Sequence, residues 1–99
     1  MSQMILKTQV LKRALRAALD EGRVVYIKHA TDLIKERGIT RPDVERVLRS
    51  GTHNEGKSGY QNNQWRYHLA GKTVDGDAIE VAVEVQDQVI VVTVMGEES

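Results

Sequence analysis

Three side chains near the C-terminus combine types that can move a proton and hold an anion: Arg66, His68 and Glu84. An imidazole titrates near neutral pH, a carboxylate beside it orients it or accepts a proton, and a guanidinium stabilises charge gathering on a phosphate. On one rigid surface these groups suit acid–base work on a phosphodiester. The same three residues also make ordinary ion pairing on a solvated sheet face. Which description applies depends on the elements that carry them.

Those elements are legible as strands. Trp65, Tyr67 and Leu69 alternate with Arg66, His68 and Ala70; Ile79, Val81, Val83 and Val85 alternate with Glu80, Ala82, Glu84 and Gln86; Val89 to Met95 is mostly apolar throughout, as in a central strand. A two-residue turn at Asp75-Gly76 would set every valine of the second strand on the face of Arg66 and His68. A type I turn with Gly76 as a bulge removes that conflict: Thr73 pairs with Asp77, Leu69 with Val81, Tyr67 with Val83 and Trp65 with Val85. A tight turn at Asp87-Gln88 then sets Val85 against Ile90, Val83 against Val92 and Val81 against Val94. One face of this meander is wholly apolar. The other carries Arg66, His68, Glu80, Ala82, Glu84, Val91, Thr93 and Met95, with Arg66 opposite Glu84 and His68 diagonal to it.

Helices must cover the apolar face. Residues 4–20 have Leu11, Ala14, Leu15, Ala18 and Leu19 on one side, with Gly22 placed for a C-cap. Lys7, Lys12, Arg13 and Arg16 lie mostly elsewhere, where cations either touch phosphate or form a solvated face. Val24 to Ile27 reads as a short strand and His29 to Arg37 as a short helix ended by Gly38. Thr40 starts the next helix as N-cap, with Pro42 in its first turn and Asp43 completing an acidic capping box; Gly51 closes it. Thr52 to Gln64 is polar, a loop or weak strand followed by a turn, and Glu97 to Ser99 reads as a frayed end. The expected architecture is a single α+β domain over residues 1–99, with N-terminal helices packed on one face of a C-terminal antiparallel meander, in the order α-β-α-α-(β)-β-β-β.

Composition narrows the function. Fourteen Lys+Arg balance fourteen Asp+Glu, which argues against nucleic-acid binding through bulk charge and leaves room for a local patch. With no cysteine there is no thiol catalysis and no Cys-built zinc site, and three scattered histidines lack metal-ligand spacing. No cofactor is expected, no apolar run is long enough for a membrane span, and the expected location is the cytoplasm. The run Gly56-Lys57-Ser58-Gly59 lacks the first glycine, the strand and the helix of a phosphate loop. His29 suits a helix cap, His53 lies in the polar segment, and Tyr60 is left as the free aromatic.

The runs His29-Ala30, Glu36-Arg37-Gly38-Ile39 and Asp43-Val44, with Tyr67 to Gly71, Asp75-Gly76 and Val89 to Met95, resemble a bacterial domain family of unknown function over residues 24–95. That family is similar to RelE- and MqsR-type toxins of the barnase–EndoU–colicin–RelE superfamily, small α+β proteins of which many cut RNA without a metal. Family members often carry a basic residue where this chain has Leu33 and a serine where it has Ile27. The resemblance implies a toxin-like endoribonuclease or RNA-binding protein. His68 would be its acid or base, Glu84 its partner and Arg66 its phosphate contact, with His29 and Arg37 assisting. It also implies a protein partner such as an antitoxin. The alternative is a non-catalytic interaction module, in which Val89, Val91 and Met95 on the open face bind a protein or a second copy in a homodimer.

Overall fold

The computed structural model describes residues 6–61 and 63–96. Its elements are α1 (Thr8–Asp20), β1 (Val24–Tyr26), α2 (Lys28–Arg37), α3 (Arg41–Ser50), β2 (Thr52–His53), β3 (Gly59–Gln61), β4 (Gln64–Lys72), β5 (Ala78–Val85) and β6 (Val89–Gly96). The strands form one sheet in the order β1-β6-β5-β4-β2, with β3 also paired to β4. All pairs are antiparallel except β1 with β6. This is the expected α+β class. Residues 4 and 5 of the expected first helix, and the expected frayed end at 97–99, lie outside the described residues. No helix among the described residues is long and apolar enough to cross a membrane.

Local chemistry sets the helix ends. Gly22 and Gly38 take left-handed φ values of 69° and 66°, and behind them Arg23 N–H donates to Ala18 O at 2.8 Å and Ile39 N–H to Ile34 O at 3.0 Å. These six-to-one bonds satisfy carbonyls that a helix end leaves open. At α3 both arms of the capping box form: Asp43 N–H donates to Thr40 Oγ1 at 3.2 Å, and Thr40 N–H to Asp43 Oδ2 at 3.0 Å. Asp43 Oδ1 also accepts from Val74 N–H at 2.9 Å, which ties α3 to the β4–β5 hairpin. These backbone bonds, that of Val74 foremost, hold the Asp43 carboxyl below the usual carboxylate range. The cap of α2 is not His29: Ile27 occupies the N-cap without a side-chain bond, and His29 is the second helical residue.

Packing follows the apolar stripes. Leu11, Leu15 and Ala18 of α1, Ala30 and Ile34 of α2, and Val44, Val47 and Leu48 of α3 share one core with Tyr67, Leu69, Ile79, Val81, Val83, Val89, Val91 and Val94. The β4–β5 register is the expected one, with Arg66 opposite Glu84, Tyr67 opposite Val83 and Leu69 opposite Val81. Gly76 takes φ 89°, and Thr73 N–H donates to Asp77 O at 2.8 Å, as a bulged turn requires.

The β5–β6 register departs from expectation in its first half. Val81 faces Val94, but Val85 faces Val89 and Val83 faces Val91, because a bulge removes Val92 from the pairing. Val89 and Val91 therefore enter the core, and Ile90 rather than Val91 lies on the face of Glu84. The apolar stripe expected on the open face from Val89 and Val91 is thus not assembled there.

Where α3 ends, the backbone comes close to the sheet. A Cβ at Gly51 would meet the carbonyl oxygens of Val47 and Ala70 at 2.5 and 2.8 Å, whereas one at Gly59 would meet nothing within 4 Å. Gly51→Ala is expected to lower stability by about 1–3 kcal/mol through overpacking against backbone that cannot yield, and Gly59→Ala by less than about 0.5 kcal/mol. Urea midpoints of the two variants measure the difference; equal midpoints would contradict this packing.

Candidate functional site

Strand alternation puts Arg66 and His68 of β4 on the face away from the helices, since Tyr67 and Leu69 between and beyond them are in the core. Across β5, Arg66 faces Glu84, His68 faces Ala82 and Ala70 faces Glu80. His68 is therefore diagonal to both glutamates. Glu84 is engaged by Arg66, with Nη2 to Oε2 at 3.1 Å. The carboxylate beside the imidazole is instead that of Glu80, with His68 Nδ1 3.7 Å from its Oε1. Nδ1 is buried and has no hydrogen-bond partner among the described residues.

Glu80 is 3% exposed. Its charge is met by the loop between β2 and β3, which turns over this face: Lys57 Nζ donates to Oε2 at 3.0 Å and Asn54 Nδ2 to Oε1 at 3.3 Å. Lys57 itself stays mostly exposed. The loop makes the face less open than the alternation alone suggests, and His68 keeps 14% of its side-chain surface. Burial pushes the His68 imidazole below its usual value, against the opposing pull of Glu80. At neutral pH it is an imidazole able to take a proton, beside a carboxylate able to stabilise the cation that forms.

A second histidine sits behind the first. His53 of β2 faces Leu69 and so lies on the helix side, its ring 5.9 Å from that of Tyr67. Thr8 Oγ1 donates to Glu55 Oε1 at 2.7 Å, which uses its only proton. It must then accept from His53 Nδ1, 2.9 Å away; Ser58 Oγ stands 2.9 Å from both His53 Nε2 and the Asn54 carbonyl oxygen, and its one proton serves only one of them at a time. Ser58 Oγ in turn accepts from the backbone N–H of His68 at 3.1 Å. Burial also lowers the His53 pKa, while Glu55 pulls it upward.

The structure brings Arg66, His68 and Glu84 together on one face. His29 and Arg37 are elsewhere. Both belong to α2, which packs through Ala30 and Ile34 on the helix side of the sheet, and they stand near opposite ends of that helix, about 12 Å of axial rise apart. Arg37 reaches toward Gly96 at the far end of β6. Tyr60 is not a free aromatic: its ring meets Trp65 edge-on at 5.5 Å. Sequence reading missed Lys57, Asn54 and the role of Glu80. The only signal for Glu80 was its place in the same alternation as Glu84. Among the described residues no group of three or more His, Asp or Glu side chains is placed to hold a metal ion.

A family model described as "Domain of unknown function (DUF4258)" matches residues 26–96. No curated protein and no solved structure matches the chain.

Buried His53 and half-buried His68 both favour the neutral form in the folded state. Their contribution to stability is full above the ordinary value of about 6.5 and is lost as pH falls through their lowered folded values. The melting temperature is expected to hold between about pH 7 and 8 and to fall on acidification below about 6.5, with His53→Gln flattening that fall. A melting temperature that rises through this window would contradict the burial of both rings.

Proposed function

The chain belongs to the DUF4258 family, and from that premise we propose that it cleaves RNA without a metal, at the face shared by Lys57, Arg66, His68, Glu80 and Glu84. The observation that carries the reading is a half-buried imidazole on a central strand, beside a buried carboxylate and between two cations on the same surface. We propose further that the family is akin to RelE- and MqsR-type toxins, a kinship that would call for the same chemistry.

In this reaction His68 takes the proton of a ribose 2′-hydroxyl. The 2′-oxygen attacks the adjacent phosphorus, the bond from phosphorus to the 5′-oxygen breaks, and the imidazolium returns its proton to the leaving 5′-oxygen. The products are a 2′,3′-cyclic phosphate and a 5′-hydroxyl. The depressed pKa of His68 suits the first step, and Glu80 stabilises the imidazolium between the two. Lys57 and Arg66 offset the negative charge gathering on the phosphate oxygens. His29 and Arg37, across the sheet, take no part in these contacts.

The test is incubation of purified protein with labelled RNA in EDTA. His68→Ala, Arg66→Ala and Lys57→Ala are each expected to slow cleavage by at least about tenfold, and His29→Ala to stay within about threefold of the wild-type rate. The cut ends are expected to carry 2′,3′-cyclic phosphate. A wild-type chain that leaves RNA intact, or a His68→Ala variant that cuts at full rate, would overturn the reading.

A further inference from the structure

The family match begins at residue 26, so α1 lies outside the matched residues. What α1 adds to the surface is positive charge. Lys12, Arg13 and Arg16 stand with Gln9 around a shallow cleft. Two of them reach across to α3: Lys12 Nζ donates to Gly51 O at 2.6 Å, and Arg16 Nε to Arg49 O at 3.5 Å. Arg46, Ser50, Gly51 and Lys72 line a second cleft, so Gly51 joins the two. Six cations thus form one strip over α1, α3 and the end of β4, on a chain whose formal net charge is zero. Attraction to the carbonyls ending α3 explains the inward contacts of Lys12 and Arg16. It does not explain Arg13, Arg46 or Lys72. Of the six, Arg49 is in an ion pair among the described residues, at 3.3 Å from Asp20, and both partners are exposed.

We propose that this strip binds the phosphate backbone of RNA and holds the substrate of the cleavage proposed above, a reading on which it rests. Four of its six cations are arginines, whose fork of donors matches phosphate oxygens. No residue lining either cleft is aromatic, so the strip offers no platform for stacking bases. Its contacts position the backbone and are indifferent to sequence. The strip also leads toward the candidate site. From Gly51 the chain passes directly into edge strand β2 and then into the loop that carries Lys57 over the far face. RNA lying along α1 and α3 and bending round that edge arrives at Lys57 and His68. The helix side would supply affinity, and the opposite face the chemistry.

The experiment is fluorescence anisotropy of a labelled single-stranded RNA of about 20 nucleotides over a salt series, with wild type, Arg13→Gln/Arg16→Gln/Arg46→Gln and His68→Ala. Circular dichroism confirms that each variant is folded. Wild type is expected to bind at about 50 mM salt. The triple variant is expected to bind at least about tenfold more weakly, with a log-affinity against log-salt slope shallower by about 2. His68→Ala is expected to keep the wild-type affinity and slope while losing cleavage. If no variant cuts RNA but the triple substitution still weakens binding and flattens the slope, the strip stands and the cleavage reading fails. A folded triple variant with wild-type affinity and slope, or a wild type that does not bind at low salt, would overturn the strip. Displacement of the RNA by polyglutamate as readily as by unlabelled RNA would also overturn it, assigning the surface to an acidic protein instead.

Discussion

A carboxylate on the sheet face opposite the helices, nearly shut off from solvent, constrains the candidate site more than any other group. Glu80 has buried residues on both sides of it along β5 and, across the strands, Ala70 and Met95 as its neighbours. A charge in such a place is costly unless cations and donors meet it. Here they come from one short loop, through Lys57 and Asn54. Meeting that need brings the β2–β3 loop over the sheet. The loop's position then shelters His68, and the shelter depresses the imidazole's pKa. The same loop is also tied directly to His68, through Asn54 N–H to His68 O at 2.8 Å and His68 N–H to Ser58 Oγ at 3.1 Å. The buried carboxylate and these backbone bonds together set its path, the partial closure of the sheet face and the proton affinity of its histidine.

The fold was readable where side chains alternate between chemically different types. On β4 and β5, aromatics and valines alternate with charged residues, so only one register buries the first set, and the structure has that register. The capping box at Thr40 and the terminal glycines were readable for the same kind of reason, since few residues suit those backbone positions. On β6 the pattern fails. Val89 to Val92 are apolar at every position, so a slip of one residue exchanges one aliphatic side chain for another and sequence cannot choose between registers. The bulge at Val92 exploits that degeneracy. The parallel pairing of β1 was illegible too, because three residues carry no mark of which edge they will join.

The candidate site divides along the same line. Arg66 and Glu84 were placed together because strand geometry makes them direct partners, and they are. Whether His68 would attend to Glu84 or Glu80 was not decidable from register, since it is diagonal to both. The outcome depends on Arg66 occupying Glu84 and on a loop whose path no periodicity encodes. Lys57 and Ser58 sit in a stretch whose glycines and polar residues mark only that the chain turns. Its function as a bridge between the two sheet faces emerges only with tertiary contacts.

That bridge also explains how a helix outside the family match bears on the face it never touches. The segment leading into α1 donates Leu6 N–H to the Tyr67 hydroxyl at 3.0 Å, and Thr8 joins His53 to Glu55. Tyr67 is the residue before His68, and His53 reaches the His68 backbone through Ser58. Leu11, Leu15 and Ala18 meanwhile fill the core beneath the same strand. Without the helix, a buried hydroxyl and a buried imidazole would each lose a partner, at a cost of about 1–3 kcal/mol apiece, and the apolar layer supporting β4 would open to water. In this chain the N-terminal segment therefore adds bonds and core packing to the strand that carries His68, from outside the matched residues 26–96. The segment at α1 is thus tied to β4 and β2, so its cations stand on an element already bonded to the strand where the chemistry is proposed.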